Sequence, residues 1–337
     1  MIVLLAALLA LSFLATGWIR RYCLANGIVD IPNQRSSHSR IVARGGGVGF
    51  SAIFLLAIVV AGIAGVVAGR AASGLAGGGI IVALTGWVDD RKGLTQITRI
   101  MLHLAAAAWA VAWIGPVPAI LSGSPIWMWV SQIAAVLAVA WMINLYNFMD
   151  GTDGIAGVEA VSVAGASGFL CLLAGLPAAG EVYWILAVVV TGFLLWNWPP
   201  AKIFMGDAGS GFLGFIFAAL ALWASVGNFR LFLPCVILLS VFWVDATTTL
   251  LRRMVQGEKW YEAHNSHAYQ KIARRKGHLP VALGVLIVNA AVLAPAAWLA
   301  WTNPRIAPLV ALSVSVILAC LALTVRDRST TPRSVSR

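Results

Sequence analysis

Residues 126–175 read IWMWVSQIAAVLAVAWMINLYNFMDGTDGIAGVEAVSVAGASGFLCLLAG. Two apolar runs, 126–146 and 155–175, flank a short polar segment rich in asparagine, aspartate and glycine. Each run supplies the roughly 20 apolar residues that a helix needs to cross a bilayer. The stretch therefore predicts two membrane-spanning helices joined by a polar loop.

The rest of the chain repeats this pattern. It has 337 residues, of which 61% are hydrophobic and 10% are charged, whereas soluble domains carry roughly 25% charged residues. This composition excludes an ordinary cytosolic enzyme, a disordered chain and a secreted disulfide scaffold. The four cysteines show no spacing typical of a disulfide framework or a metal site. We predict an all-α polytopic membrane protein with about eleven spans, or ten if one of the shorter runs does not cross. The predicted spans are residues 2–19, 46–69, 72–88, 100–115, 126–146, 155–175, 182–198, 210–227, 231–250, 279–301 and 306–325.

Basic residues indicate which side of the membrane each loop faces. With the N-terminus outside, 20 of the 23 Lys and Arg residues lie on the cytoplasmic side, and only Arg70, Arg230 and Arg305 lie opposite. Because loops rich in Lys and Arg stay in the cytoplasm, we predict an outer N-terminus and a cytoplasmic C-terminus. One membrane domain is expected over residues 1–325, followed by a basic, disordered tail over 326–337. Its chemistry-bearing loops are expected at about 20–45, 89–99, 147–157, 197–210 and 252–278.

The first of these loops to draw attention contains adjacent acids. Asp89 and Asp90 close the third predicted span, and Arg91 and Lys92 follow them directly. Adjacent carboxylates repel each other, so their pairing beside two cations indicates a metal or phosphate site. A solvated helix end is the alternative.

A second polar segment repeats every three residues, as Asn144, Asn147, Asp150 and Asp153. Neighbouring members would share one face of a helix, but Gly151 makes a continued helix unfavourable, so the later members are expected on a turn. Polar side chains that converge at a membrane boundary indicate a bound ligand. A cluster that only caps a helix end is the alternative.

A third segment runs from Pro199-Pro200 to Gly206 and Asp207. The prolines are expected to end the preceding span. The glycines around Asp207 would let a ligand approach the backbone where the next helix begins. The alternative is that Asp207 only caps that helix.

Two basic segments complete the set. Arg44 precedes three glycines, and Arg side chains bind phosphate oxygens through paired hydrogen bonds. The loop 252–278 carries His264, His267 and the basic run 274–276, which suits either lipid headgroups or a phosphorylated substrate. No P-loop or other nucleotide fingerprint is present.

Taken together, these segments resemble the polyprenyl-phosphate N-acetylhexosamine-1-phosphate transferases, and the similarity extends from about Ile31 to Gly277. The matching motifs are the Asp-Asp pair, the Asn-x-x-Asn-x-x-Asp-Gly-x-Asp-Gly motif, Asn197 with the Met-Gly-Asp segment, and the histidine loop. The resemblance implies that a UDP-N-acetylhexosamine donates sugar-1-phosphate to undecaprenyl phosphate, with release of UMP. It also implies a bacterial inner-membrane enzyme whose active site faces the cytoplasm.

The resemblance further implies a role for each matching residue. Asp207 and Asn147 are expected to hold Mg²⁺, for which Mn²⁺ is a substitute. Asp89 and Asp90 are expected to activate or position the acceptor phosphate. The residues expected to bind substrate are Asn144, Asp150, Asp153, Asn197, His264, His267, Arg44 and Lys92. The expected partners are the two substrates and membrane lipids, without nucleic acid, and a homodimer is left open.

Three departures separate the chain from peptidoglycan-type members. His264 and His267 are not adjacent, Lys92 comes one position early after the acid pair, and residues 41–44 replace a Pro-Thr-Pro segment. The sequences Asn-Phe-Met-Asp-Gly and His-Ala-Tyr-Gln resemble more closely those of the branch that initiates O-antigen. Donors of that branch can be 6-deoxy N-acetylhexosamines. The competing interpretations are a secondary transporter, which would place acids near the bilayer midplane, and a non-catalytic scaffold for glycan assembly.

Overall fold

Helices make up nearly all of the chain. The computed structural model describes residues 1–32, 40–115, 125–258 and 265–325. Those ranges contain fourteen α-helices. They are α1 (Ile2–Ala25), α2 (Gly47–Ile63), α3 (Gly69–Lys92), α4 (Gln96–Ile114), α5 (Pro125–Met149), α6 (Ile155–Leu173), α7 (Pro177–Asn197), α8 (Asp207–Gly227), α9 (Phe232–Leu238), α10 (Ser240–Val255), α11 (Ala268–Lys276), α12 (His278–Val288), α13 (Ala294–Thr302) and α14 (Ala307–Thr324).

The predicted all-α membrane fold is confirmed. Nine helical segments of the described chain are long and apolar enough to cross a bilayer, and α12 and α13 form one of them through a π-helical turn at Asn289–Leu293. The segments Phe229–Leu238 and Ser240–Val255 make a tenth span if they are counted together, although they meet at an angle of 67°. The apolar helix α2 has 17 residues. Each of the eleven predicted spans therefore coincides with a helix, a bent helix pair or this shorter helix.

Three very short strands join loops that are far apart in the sequence. They are β1 (Val29–Asp30), β2 (Val42–Arg44) and β3 (Ile203–Phe204). Strand β2 pairs antiparallel with β1, with Val29 opposite Ala43, and parallel with β3, with Arg44 opposite Phe204. The sheet thereby fixes Arg44 beside the segment that leads into α8.

Polar breaks end the helices where the sequence predicts. Helix α5 ends at Met149 and α6 begins at Ile155, after Gly154 with a positive φ of 76°. Helix α7 ends at Asn197, just before Trp198 and the two prolines. We call the end of the bundle formed by residues 26–32, 40–46, 89–96, 149–155, 197–207, 255–258 and 265–278 the site end. The opposite end, formed by residues 64–68, 174–176, 228–231 and 303–306, is called the far end.

Small residues bring the central helices together at the site end. A side chain at Gly47 of α2 would collide with Gly209 of α8, and one at Gly86 of α3 would collide with the backbone at Asp207 and Ala208. Close approach through small residues is typical of membrane helix contacts. The start of α8 is therefore enclosed by α2 and α3. Cys23, Cys171 and Cys235 are buried among packed helices, whereas Cys320 of α14 is exposed, and all four are free.

Candidate active site

Arg44 connects two acids from different helices. Its Nε lies 2.7 Å from Oδ1 of Asp90, at the end of α3, and its Nη2 lies 2.7 Å from Oδ1 of Asp207, at the start of α8. Burial lowers the pKa of the Arg44 guanidinium, but the carboxylates of Asp90 and Asp207 raise it by more, so the group stays charged. The fold thus brings three of the predicted site residues together.

Asp90 also caps helix α8 from outside. Its Oδ1 accepts a hydrogen bond from the backbone N–H of Asp207 at 3.0 Å, and its Oδ2 accepts one from Ala208 at 3.2 Å. Gly206 adopts φ 76°, and a Cβ there would lie 2.5 Å from Oδ2 of Asp90. The Asp90 side chain has no exposed surface. A solvated helix end is therefore wrong for Asp90, whose carboxylate stabilises the positive end of the α8 dipole.

Asp89 points to a second arginine. Its Oδ1 accepts a hydrogen bond from the N–H of Leu94 at 2.6 Å, and its Oδ2 lies 3.1 Å from Nη1 of Arg99. The same Arg99 nitrogen lies 3.8 Å from Oδ2 of Asp207. In the sequence, Arg99 stands out only as one basic residue of the loop 89–99. The tight turn at Gly93, with φ 68°, folds α4 back so that Arg99 returns beside Asp89.

Asp150 belongs to the same electrostatic neighbourhood. Burial raises the pKa of the Asp150 carboxyl well above its usual range, Arg44 opposes that rise, and Asp207, Asp90 and Asp153 add to it. Tyr269 of α11 closes over this turn, because its hydroxyl donates a 2.9 Å hydrogen bond to the carbonyl of Phe148. The predicted turn after Met149 is confirmed.

The two asparagines of this motif lie on α5. Asn147 is half-buried in the last turn of the helix, and its backbone carbonyl accepts a hydrogen bond from the backbone N–H of Asp150 at 3.2 Å. The amide of Asn144 donates to the Ala140 carbonyl of its own helix at 2.8 Å. Of the two asparagines, Asn147 lies closer in sequence to the turn at Asp150 and is hydrogen-bonded to that turn.

Asp153 and Asn197 tie three loops together. Oδ2 of Asp153 accepts a hydrogen bond from the N–H of Ala201 at 3.0 Å, and its Oδ1 lies 3.0 Å from Nδ1 of His278. Asn197 accepts from Gly154 and donates to the carbonyl of Ile203, both at 2.9 Å. Asn197 is only 2% exposed, so its visible role is to hold the loops around Asp153. Its expected contact with substrate stays a prediction.

The histidine loop is anchored by a buried acid. Asp245 of α10 accepts hydrogen bonds from the N–H groups of Ala268 and Tyr269 at 3.0 and 3.1 Å, and so caps α11. Nδ1 of His267 lies 3.7 Å from Oδ1 of Asp245, and the residue is 1% exposed. The predicted site residue His264 lies outside the described residues. A direct substrate contact by His267 stays a prediction.

A cavity of about 270 Å³ adjoins the acidic cluster. It is lined by residues 26–29, Arg44, Asp90 and Arg91. Lys92 follows as an exposed side chain at the end of α3. Asp207, whose side chain is 17% exposed, is more accessible than the fully buried Asp90. The cluster formed by Asp89, Asp90, Asp150, Asp207, Arg44 and Arg99 therefore has more acids than arginines, and space for a ligand beside it.

Comparison of the sequence with known proteins identifies the family of this chain. The pattern of glycosyl transferase family 4 matches residues 72–225. The chain is 30% identical to the probable undecaprenyl-phosphate N-acetylglucosaminyl 1-phosphate transferase of Bacillus subtilis, over 75% of this chain and 72% of that protein. The chain belongs to the polyprenyl-phosphate N-acetylhexosamine-1-phosphate transferases of glycosyl transferase family 4.

Other members of this transferase family show the same extent of similarity. The decaprenyl-phosphate N-acetylglucosaminephosphotransferase of Mycolicibacterium smegmatis is 31% identical, over 78% of this chain and 72% of its own. The undecaprenyl-phosphate alpha-N-acetylglucosaminyl 1-phosphate transferase of Thermotoga maritima is 27% identical, over 79% and 80%. Because the chain belongs to a transferase family, the interpretation as a secondary transporter is wrong.

For this transferase, the site residues that sequence reasoning missed are Arg99 and His278. Neither stands in a motif that we could read, because each reaches the site only when a helix folds back on an earlier loop. His278 begins α12, and Arg99 lies in the first turn of α4. The one sequence signal that could have identified Arg99 is its place shortly after the break at Gly93, in the first turn of the next helix.

Proposed function

We propose that this transferase moves N-acetylhexosamine-1-phosphate from a UDP-sugar to undecaprenyl phosphate, giving a lipid-diphosphate sugar and UMP. The observation that carries the proposal is the meeting of Arg44 and Arg99 with Asp89, Asp90 and Asp207 at one end of a membrane bundle. One substrate is a membrane lipid and the other is water-soluble, so their phosphates must meet at such an end. The names of the relatives support the acceptor class.

We infer that Arg44 and Arg99 bind the phosphate groups of the two substrates. Guanidinium groups bind phosphate oxygens in pairs, and Arg44 and Arg99 already lie on two sides of Asp207. We infer that they neutralise the donor diphosphate and the acceptor phosphate as these approach. Asp153, held by Ala201 and His278, is proposed to bind the nucleoside part of the donor.

Magnesium is proposed as the cofactor. Mg²⁺ is usually held by one or two carboxylates together with substrate phosphates, and among the described residues no group of three His, Cys, Asp or Glu forms a complete metal cage. The surplus of acids, and the partial exposure of Asp207, fit such an open site. Asp207 and Asn147 would hold the ion, which when bound offsets phosphate charge during transfer. Mn²⁺ is the proposed substitute.

Transfer then requires little proton chemistry. A phosphate monoester has a second pKa of about 6, so the acceptor is mostly dianionic at pH 7. An acceptor oxygen forms a bond to the β-phosphorus of the donor while the bond from that phosphorus to the bridging oxygen breaks, and UMP leaves with the electron pair. Asp89 and Asp90 are proposed to position the acceptor phosphate through Arg99 and Arg44, which they contact, and Asp90 also holds the start of α8. The alternative is a covalent enzyme intermediate.

The reaction is tested with purified protein, undecaprenyl phosphate, Mg²⁺ and a panel of UDP-N-acetylhexosamines. We expect UMP and a lipid-diphosphate sugar in equal amounts with at least one donor, and loss of both products with excess chelator. The panel includes 6-deoxy sugars, because we propose that the enzyme initiates O-antigen or a related envelope polysaccharide. No product with any donor would refute the proposal, and product in chelator would refute the magnesium assignment.

Isotope exchange separates the two mechanisms. Labelled UMP is incubated with UDP-sugar and enzyme in the absence of lipid acceptor. Direct attack predicts no label in the UDP-sugar, whereas a covalent intermediate would return label to it. The result decides the mechanism without affecting the assignment of the overall reaction.

We propose that the site end faces the cytoplasm of the inner membrane. Lys92→Cys at the site end and Arg305→Cys at the far end are compared in a Cys320→Ser background, because Cys320 is exposed. A membrane-impermeant thiol reagent added to whole cells should label only the far-end variant. Labelling of Lys92→Cys from outside would reverse the orientation. The homodimer stays a prediction, which light scattering of the detergent-purified protein tests.

A further inference from the structure

Away from the acidic cluster, two basic side chains meet at one tryptophan. The guanidinium carbon of Arg20 in α1 lies 5.9 Å from the centre of the Trp196 ring, and the Nζ of Lys202 lies 5.6 Å from it. Both distances are within the range in which a cation is attracted by an aromatic ring. Within the described parts of the chain neither Arg20 nor Lys202 forms an ion pair. Their positive charges are therefore available to an anion.

The fold holds this pair of cations in place. The Trp196 ring stacks on Phe13, with centroids 5.0 Å apart, and its Nε1–H donates to the Phe13 carbonyl at 3.0 Å. Arg20 donates from Nε to the carbonyl of Lys202 at 3.1 Å. Gly17 leaves room for the indole, since a Cβ there would lie 2.9 Å from it. Helix α1 and the segment after α7 are thus joined at this point.

The position of the three residues suits the surface of a membrane. Leu14 of α1 is 64% exposed and Leu195 of α7 is 55% exposed, as expected of side chains that face lipid tails. Arg20 and Lys202 follow these leucines toward the site end. Tryptophan and basic residues that lie just beyond a lipid-facing apolar surface are at the level of the headgroups, where basic residues attract anionic lipids.

We propose that Arg20, Trp196 and Lys202 form a binding site for the phosphate group of an anionic membrane phospholipid. The lipid would be a structural ligand that is neither donor nor acceptor. Its negative headgroup would complement the two cations, and its acyl chains would lie against the apolar sides of α1 and α7.

A lipid at this site would also act on the reaction, a step that rests on the proposed role of Asp153. Lys202 stands between Ala201, whose N–H donates to Asp153 at 3.0 Å, and Ile203, which pairs with Ala43 in the small sheet. Holding Lys202 therefore steadies both neighbours. We expect anionic lipid to speed transfer by lowering the KM for the donor.

The test compares wild type with the double variant Arg20→Gln/Lys202→Gln in nanodiscs of phosphatidylcholine, with or without phosphatidylglycerol. Phosphatidylglycerol should raise the unfolding temperature of wild type and lower its donor KM several-fold. The double variant should lose both effects while it still transfers sugar phosphate in the neutral discs. Arg20→Lys/Lys202→Arg should keep both effects, and so should the far-end control Arg230→Gln. If the double variant fails to fold, Lys202→Gln alone takes its place, because that side chain is exposed.

Several outcomes would overturn the proposal. Equal stabilisation of wild type and double variant by phosphatidylglycerol would exclude the site. Equal stabilisation of the detergent-purified protein by inorganic phosphate would show a general anion site and exclude the lipid. A raised unfolding temperature with unchanged donor KM would keep the lipid site and exclude its coupling to Asp153. Because unfolding is measured without substrates, this result is independent of whether the proposed transfer reaction is correct.

Discussion

At both ends of the bundle the chain turns back into the membrane, but the connecting segments at the two ends differ in their residues and in their contacts. Two far-end connections, residues 64–68 and 174–176, are short, and in them Gly65 and Gly175 turn the backbone with positive φ. At the site end the connecting segments pair as strands β1, β2 and β3 and cap one another's helices.

Charge is distributed in the same unequal way. The Arg–carboxylate ion pairs found among the described residues lie at the site end, from Arg44–Asp90 to Arg253–Glu258. Turning a helix needs no buried charge, as the far end shows, and removing charges from water is costly. This difference is consistent with the proposed role of the site end in binding phosphate groups, and substitutions at each end test it.

The largest effect is expected from Asp207→Asn. It removes the accessible carboxylate of the cluster but keeps its shape, so transfer should fall by about 10²–10³-fold, the range for loss of one electrostatic group at a reacting centre. Radiolabel transfer to undecaprenyl phosphate with excess Mg²⁺ measures it, and Glu181→Gln near the far end is the control. Near-normal turnover of a correctly inserted Asp207→Asn protein would remove Asp207 from the metal site.

Arg44→Lys should have the next largest effect. A single ammonium cannot reproduce the forked contacts of Arg44 with Asp90 and Asp207, both at 2.7 Å. Loss of one charged hydrogen bond, worth roughly 1.5–3 kcal/mol, corresponds to a decrease in kcat/KM of about 10–100-fold. The control is Arg230→Lys, because Arg230 is an exposed residue of the far end. Equal rates for the two variants would contradict the bridging role.

Asn197→Ala should act mainly on stability. It leaves the N–H of Gly154 and the carbonyl of Ile203 without their buried partner, and an unsatisfied buried group costs roughly 1–3 kcal/mol. We expect a loss of about 2 kcal/mol in the free energy of unfolding, read as a lower unfolding temperature in detergent, together with a higher donor KM. Its far-end counterpart Asn303→Ala removes only exposed hydrogen bonds. An equal loss in the free energy of unfolding for the two asparagine variants would contradict the expected difference between the two ends.

Arg305→Gln should have the smallest effect. Arg305 is an exposed far-end residue, and surface substitutions of this kind usually change stability by less than about 0.5 kcal/mol. Transfer rate and unfolding temperature should equal those of wild type within error. A marked loss of transfer would show that the far end takes part in the reaction.

The fold could be read largely from hydropathy. Apolar runs of sufficient length must become helices in a bilayer, because only a helix satisfies its own backbone hydrogen bonds there. The breaks at Gly154 and Pro199 followed from local backbone chemistry, and so did the end of α5 at Met149. The bend between α9 and α10 was not foreseen, because the apolar run continues through it.

The acids of the site were also visible in the sequence, whereas their partners were not. Acids are scarce in this chain, so Asp89, Asp90 and Asp207 attracted attention by their position. Arg99 and His278 did not, because arginine and histidine are ordinary in the loops of a membrane protein. Asp245 likewise lies inside an apolar run, and its role as the cap of α11 requires the contact itself.

The sequence by itself determined the membrane spans, the breaks between them and the acids that mark the site, because burial of apolar surface and backbone conformation are local properties. Only the tertiary structure decided which charges pair. Arg44 meets Asp207 across 163 positions of the chain, and Asp90 caps a helix that begins 117 residues later. Such pairings depend on how helices pack through Gly47, Gly86 and Gly209, and packing is a property of the whole bundle.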